Sequence, residues 1–73
     1  MKAVNMKNAT WVVNGCKASF ESGNPGFGIQ REDGLFISRD GSTPSVWRTK
    51  KIADQLAPYA DTFTAHTWVQ VNL

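Results

Sequence analysis

The dipeptide Asn14-Gly15 sits between two β-prone runs in ATWVVNGCKASFE, residues 9–21, and constrains this chain more than any other feature. Both residues tolerate positive φ, which a two-residue hairpin turn requires if its twist is to match that of the strands. Such a turn pairs Val13 with Cys16 and Trp11 with Ala18. It places Trp11, Val13, Cys16, Ala18 and Phe20 on one face and Thr10, Lys17 and Ser19 on the other, with Val12 as the exception. A fold with an antiparallel β component is expected.

A second hairpin is written into FGIQR and LFISR, which flank Glu32-Asp33-Gly34. A two-residue Asp-Gly turn would set Ile29 beside Phe36 and leave both faces half apolar. A three-residue loop with Gly34 in the left-handed region instead aligns Phe27, Ile29, Leu35 and Ile37, and leaves Gly28, Gln30, Phe36 and Ser38 on the outer face. The second register is the one expected. After the turn RDGSTP, a short strand around SVWR leads into a helix with Thr49 as its N-cap. Ile52, Leu56, Tyr59 and Phe63 recur at spacings of four, three and four, an apolar stripe suited to packing on a sheet. Pro58 cannot donate to Asp54 and crowds the preceding turn, so the helix should kink or restart there. The last segment, TWVQVNL, alternates Val69, Val71 and Leu73 with Trp68, Gln70 and Asn72, as a strand does.

These elements predict an α+β fold: a mostly antiparallel sheet of five to six short strands with one α-helix packed on one face. Residues 1–8 are polar and read as a flexible arm, and residues 9–73 as a single domain. The expected core is Trp11, Val13, Phe20, Ile29, Leu35, Ile37, Ile52, Leu56, Val69 and Val71. A chain of 73 residues buries only about 60% of the surface its unfolded form exposes, so its stability margin is thin. Cys16 is the only cysteine, which excludes an internal disulfide and favours a reducing, cytoplasmic setting. No apolar run has the length of a signal sequence or a membrane span.

Catalytic chemistry has little to draw on. Nucleophilic catalysis needs an oriented base beside its nucleophile, and the chain has one histidine, His66, and one cysteine. Cys16 belongs to the expected core face, and His66 to a turn. The acids Glu21, Glu32, Asp33, Asp40, Asp54 and Asp61 are partly explained by turn chemistry. No catalytic residue is assigned. A closed zinc site wants four Cys or His ligands and the turn acids lack calcium-loop spacing, so neither a metal nor a cofactor is expected. The glycine-rich GNPGFG, residues 23–28, matches no phosphate-loop pattern and reads as a connector.

Two constellations remain. Arg48, Lys50 and Lys51 crowd the helix start, with Arg39 ending a preceding strand, and lysines there oppose the helix dipole unless an anion is present. Phe36 and Trp68 fall opposite the aliphatic face, and the facing of Trp47 is undecided. Exposed aromatics of this kind suit a protein interface or self-association. Interleaved with basic residues, they also suit stacking on single-stranded nucleic acid. From Phe27 to Tyr59 the order of three antiparallel strands and a helix entered through a basic corner resembles the sheet-plus-helix modules of certain plant transcription factors and of recombinase arm-binding domains. That resemblance implies a sheet laid on DNA and assigns no residue roles. The leading expectation is a small non-enzymatic binding module acting by protein contact through Phe36, Trp47 and Trp68. The alternative is nucleic-acid binding through Arg39, Arg48, Lys50 and Lys51. Neither a membrane nor a small-molecule substrate is indicated.

Overall fold

The computed structural model describes residues 1–73 and has the expected α+β class. Six strands occur in chain order: β1 (Lys2–Asn5), β2 (Thr10–Val13), β3 (Cys16–Ser19), β4 (Phe27–Gln30), β5 (Phe36–Ser38) and β6 (Thr67–Val69). One helix, α1 (Lys50–Leu56), lies between β5 and β6 and runs directly into a 3₁₀ segment, Ala57–Thr62. The strands form a four-stranded antiparallel sheet in the order β1-β4-β5-β6 and a separate β2-β3 hairpin.

Local chemistry explains the turns. Asn14 (φ 51°) and Gly15 (φ 79°) both take the left-handed conformation, and β2 pairs with β3 in the expected register, Trp11 opposite Ala18 and Val13 opposite Cys16. Between β4 and β5 the chain uses the three-residue loop. Gln30 lies opposite Phe36, the Arg31 amide donates to the Leu35 carbonyl at 2.7 Å, and Gly34 sits at φ 91°. Asp33 Oδ1 accepts the Leu35 amide at 3.1 Å, which closes the loop from within. Thr49 caps α1, its hydroxyl accepting the Ile52 amide at 3.2 Å, and the change to 3₁₀ geometry begins one residue before Pro58.

The larger departures lie in tertiary placement. Residues 1–8 are not a loose arm: β1 pairs antiparallel with β4, Lys2 opposite Gln30 through Asn5 opposite Phe27. The Met6 amide donates to the Gly26 carbonyl at 3.0 Å, and Met6 is fully buried. β4 would otherwise expose an unpaired edge, and pairing satisfies that edge even though the added strand is half polar.

The sheet is covered on both sides. On the helix side, Ile29 and Ile37 pack with Ala53, Ala57 and Ala60, bordered by Trp47, Leu56, Phe63 and Trp68. On the reverse, Met6, Ala9 and Phe36 form a second cluster with Val4, Phe20, Val46 and Val71 around them. Phe36, expected on an open face, is fully buried. The β4–β5 register is the expected one, but the outer face it defines is an interior one.

Two further assignments change. In β6, Trp68 lies opposite Ile37 and Val69 opposite Phe36, and directly opposed residues share a face. Trp68 therefore turns to the helix side, while Val69 turns to the reverse and Val71 joins the cluster there. Because both faces are apolar, alternation within β6 cannot fix its phase. Along α1 and the 3₁₀ segment, Ile52 and Tyr59 are exposed and the buried line is Ala53, Ala57 and Ala60. Alanines let the helix backbone approach the sheet closely, and Ile52 is displaced from the expected core. The segment around SVWR forms isolated bridges instead of a strand, Ser38 with Pro44 and Phe27 with Trp47. The hairpin is tied to the C-terminal segment by two hydrogen bonds between Thr10 and Asn72, at 2.8 and 2.7 Å.

Candidate functional site

The expected aromatic trio is divided by the sheet. Phe36 is sealed on the reverse face and has no surface to offer. Trp47 and Trp68 are half-buried and border the cluster under the helix. Trp47 is held by two 2.8 Å backbone hydrogen bonds to Phe27, and its ring lies 6.4 Å from that of Phe63. Phe63 in turn meets the His66 ring edge-on at 5.4 Å, while His66 Nδ1 lies 2.7 Å from the Thr64 carbonyl oxygen. Trp68 is overlain by the Arg31 guanidinium, whose central carbon is 4.7 Å from the ring centroid. That guanidinium also forks onto Asp33, at 3.1 and 2.6 Å, so both its planar face and its edge are engaged.

The basic corner is only partly free. Lys50 Nζ donates to Asp54 Oδ2 at 2.6 Å, one turn along α1. This contact holds the Asp54 carboxyl below its ordinary range. Arg39, Arg48 and Lys51 are exposed and make no ion pair. Arg48 and Lys51 stand beside the helix start, whereas Arg39 leaves β5 into a loop organised by its neighbours. There Asp40 Oδ1 accepts the Ser42 and Thr43 amides at 2.8 and 2.9 Å, and the fully buried Ser38 hydroxyl donates to the Thr43 carbonyl at 2.7 Å. The amide bonds from Thr43 and Ser42 hold Asp40 below the usual carboxylate range.

Cys16, expected on a core face, is exposed near the hairpin tip, beyond the reach of either apolar cluster. No group of three or more His, Cys, Asp or Glu side chains is placed to hold a metal ion. The surface carries three open depressions of about 450, 440 and 330 Å³, lined mostly by polar residues. Two of the three glycines of GNPGFG serve packing: a Cβ on Gly26 would lie 2.3 Å from the Trp47 carbonyl oxygen, and one on Gly28 would lie 3.1 Å from Met6 Sδ, whereas Gly23 has open space around it.

The surface that sequence reasoning assigned to the core is the outer flank of the helix. Tyr59 is 62% exposed and Ile52 40%, with half-buried Leu56 between them. The signal that separates this stripe from the buried one is size. Alanines at 53, 57 and 60 have the same helical spacing, one residue out of phase, and small side chains win the close contact.

Compared with family models, curated proteins and solved structures, the chain matches none. No helix is long and apolar enough to cross a membrane. The sheet face away from the helix is covered in this chain by Met6, Ala9 and Phe20 around Phe36.

Proposed function

We propose that this chain is a small, non-enzymatic binding module that acts by protein contact in the cytoplasm, using the outer stripe of α1 and the 3₁₀ segment. The observation that carries this reading is the exposure of Ile52 and Tyr59 on an element whose alanines already fill the core. A large aromatic and a β-branched aliphatic side chain there leave much of their apolar area in water. Tyrosine is enriched at protein interfaces because it combines apolar area with a polar tip. Half-buried Trp47 and Phe63 border the cluster beneath the same element.

The test is a photoreactive phenylalanine derivative at position 59 of the full chain, irradiated in cells. Protein adducts that disappear when Ile52 is changed to Glu support the reading, and irradiation without any protein adduct overturns it.

A second reading, nucleic-acid binding, is favoured by Arg39, Arg48 and Lys51, three exposed cations without acidic partners. Half-buried Trp47 keeps a partly accessible edge for it, and Phe36 has none. Its signature is affinity for single-stranded DNA or RNA that falls steeply with salt. Unchanged mobility in a gel shift at low ionic strength would eliminate it.

A further inference from the structure

We infer that the protein the helix face receives is a second copy of this chain, docked antiparallel so that Lys51 of each copy meets Asp61 of the other. The inference rests on the protein-contact reading and names its partner. Its basis is the distribution of charge and apolar area around one element. Counting about 100° per residue through α1 and about 120° per residue from Ala57, Ile52, Leu56 and Tyr59 fall within about 40° of one another. On the same count the buried alanines lie about 100° to 140° to one side, and Lys51 and Asp61 share a line about 100° to the other. The solvent face of this element thus has two borders, one apolar and one charged.

Four charged residues lie on α1 and the 3₁₀ segment: Lys50, Lys51, Asp54 and Asp61. Lys50 and Asp54 satisfy each other. Lys51 and Asp61 do not: they are exposed, stand near opposite ends of the element and have no hydrogen-bond or ion-pair partner. The field of Asp61 reaches Arg31, but the Arg31 guanidinium is forked onto Asp33. No acid occupies the first turn of α1 to offset its lysines.

A two-fold axis that sets two such elements face to face and antiparallel keeps each border on its own side. The charged border of one copy then runs along the charged border of the other in reverse, bringing Lys51 to Asp61 twice. The centre of that pairing falls at Leu56 and Ala57, so Ile52 of one copy lies beside Tyr59 of the other on the apolar border. A parallel two-fold arrangement would instead swap the borders and set the charged border of each copy against the apolar border of the other, leaving Lys51 and Asp61 unpaired. The antiparallel one also opposes the two helix dipoles. The element spans roughly 22 Å, which limits the buried area and makes the dimer a reversible one, below the size of standard stable interfaces.

Sedimentation equilibrium of the full chain up to millimolar concentration tests this, with circular dichroism confirming that each variant folds. The native chain should show a reversible monomer–dimer equilibrium. Tyr59→Glu should abolish it. Lys51→Glu and Asp61→Lys should each weaken it about tenfold, since each turns two attractions into two repulsions. The double variant, with the charges exchanged, should recover dimerisation. A chain monomeric throughout, a dimer indifferent to Tyr59→Glu, or a double variant no better than the singles each overturns the inference. Photo-adducts to a different protein together with a monomeric chain would sink the second copy and leave protein contact standing. Absence of both would sink the two together.

Discussion

Phe36 shows how much hangs on one residue's placement. It lies at the centre of the reverse cluster with no exposed surface, so Phe36→Ala should cost roughly 3 to 5 kcal/mol through lost burial and the cavity left behind. That is a large share of the total stability of a small domain. A chemical denaturation curve checks it, and a midpoint close to the native one would mean the ring is not part of the core. Gly26 carries a different constraint. It sits at φ 114°, with the Trp47 carbonyl oxygen 2.3 Å and carbonyl carbon 3.1 Å from where a Cβ would be. Gly15 is also left-handed, at φ 79°, but has open space around it. Gly15→Ala should therefore cost about 1 to 2 kcal/mol of backbone strain. Gly26→Ala should cost clearly more, because backbone atoms must move. Urea midpoints of the two variants decide the point, and equal midpoints would refute it. Gly15 and Gly34 were legible in the sequence because their turns are set by neighbours a few residues away. The demand on Gly26 comes from Trp47, across the fold, and no local pattern announces it.

At the scale of elements, turns and caps were readable and phases were not. The Asn14-Gly15 hairpin, the three-residue loop at Gly34, the Thr49 cap and the break at Pro58 each follow from chemistry within a few residues. The rotation of α1 does not. Ile52, Leu56, Tyr59 and Phe63 share a helical spacing with Ala53, Ala57 and Ala60, and hydrophobicity alone favours the larger set. Close approach to a sheet favours the smaller one. Two substitutions separate these alternatives. Ala57→Leu forces a large side chain into the helix–sheet contact and should destabilise by about 1 to 3 kcal/mol. Ile52→Ala removes an exposed side chain and should change stability by no more than about 0.5 kcal/mol. Thermal melts of the two variants give the order. If Ile52→Ala proves the more damaging, the helix is turned the other way and the proposed contact face disappears with it. The same ambiguity misplaced Trp68. A strand with apolar residues on both sides fits a two-sided sheet in either phase, and its partner β5 decides.

Across the whole molecule, most of the candidate contact surface was hidden in the sequence because a chain this short was expected to fill one core, on one side of one sheet. It fills two, by folding residues 1–8 inward and by bringing Phe20 and Val71 to the reverse face. The charges are distributed over this doubly covered sheet in a way that sets the acid response. Asp33 is held below its ordinary range first by its hydrogen bonds from Arg31 and then by the Leu35 amide. Asp40 is held there by the Thr43 and Ser42 amides, and Asp54 by Lys50. A carboxyl whose folded pKa lies below its unfolded one stabilises the native state above the unfolded value. That contribution is lost as pH falls through the folded value. Protonating all six acids also moves the formal charge from +2 to +8, given the eight Lys and Arg side chains, and adds self-repulsion. The urea midpoint should therefore stay level from about pH 7 to 5 and drop as pH passes below about 4, the ordinary carboxylate range. Added salt at the acid end should restore part of the loss by screening the excess positive charge. Because an asparagine amide oxygen can still accept the Ser42 and Thr43 amides, Asp40→Asn should keep the loop closed yet flatten part of the pH dependence. A midpoint that holds or rises through pH 4 in the native chain would show that these turn and helix carboxylates contribute nothing to holding the fold together.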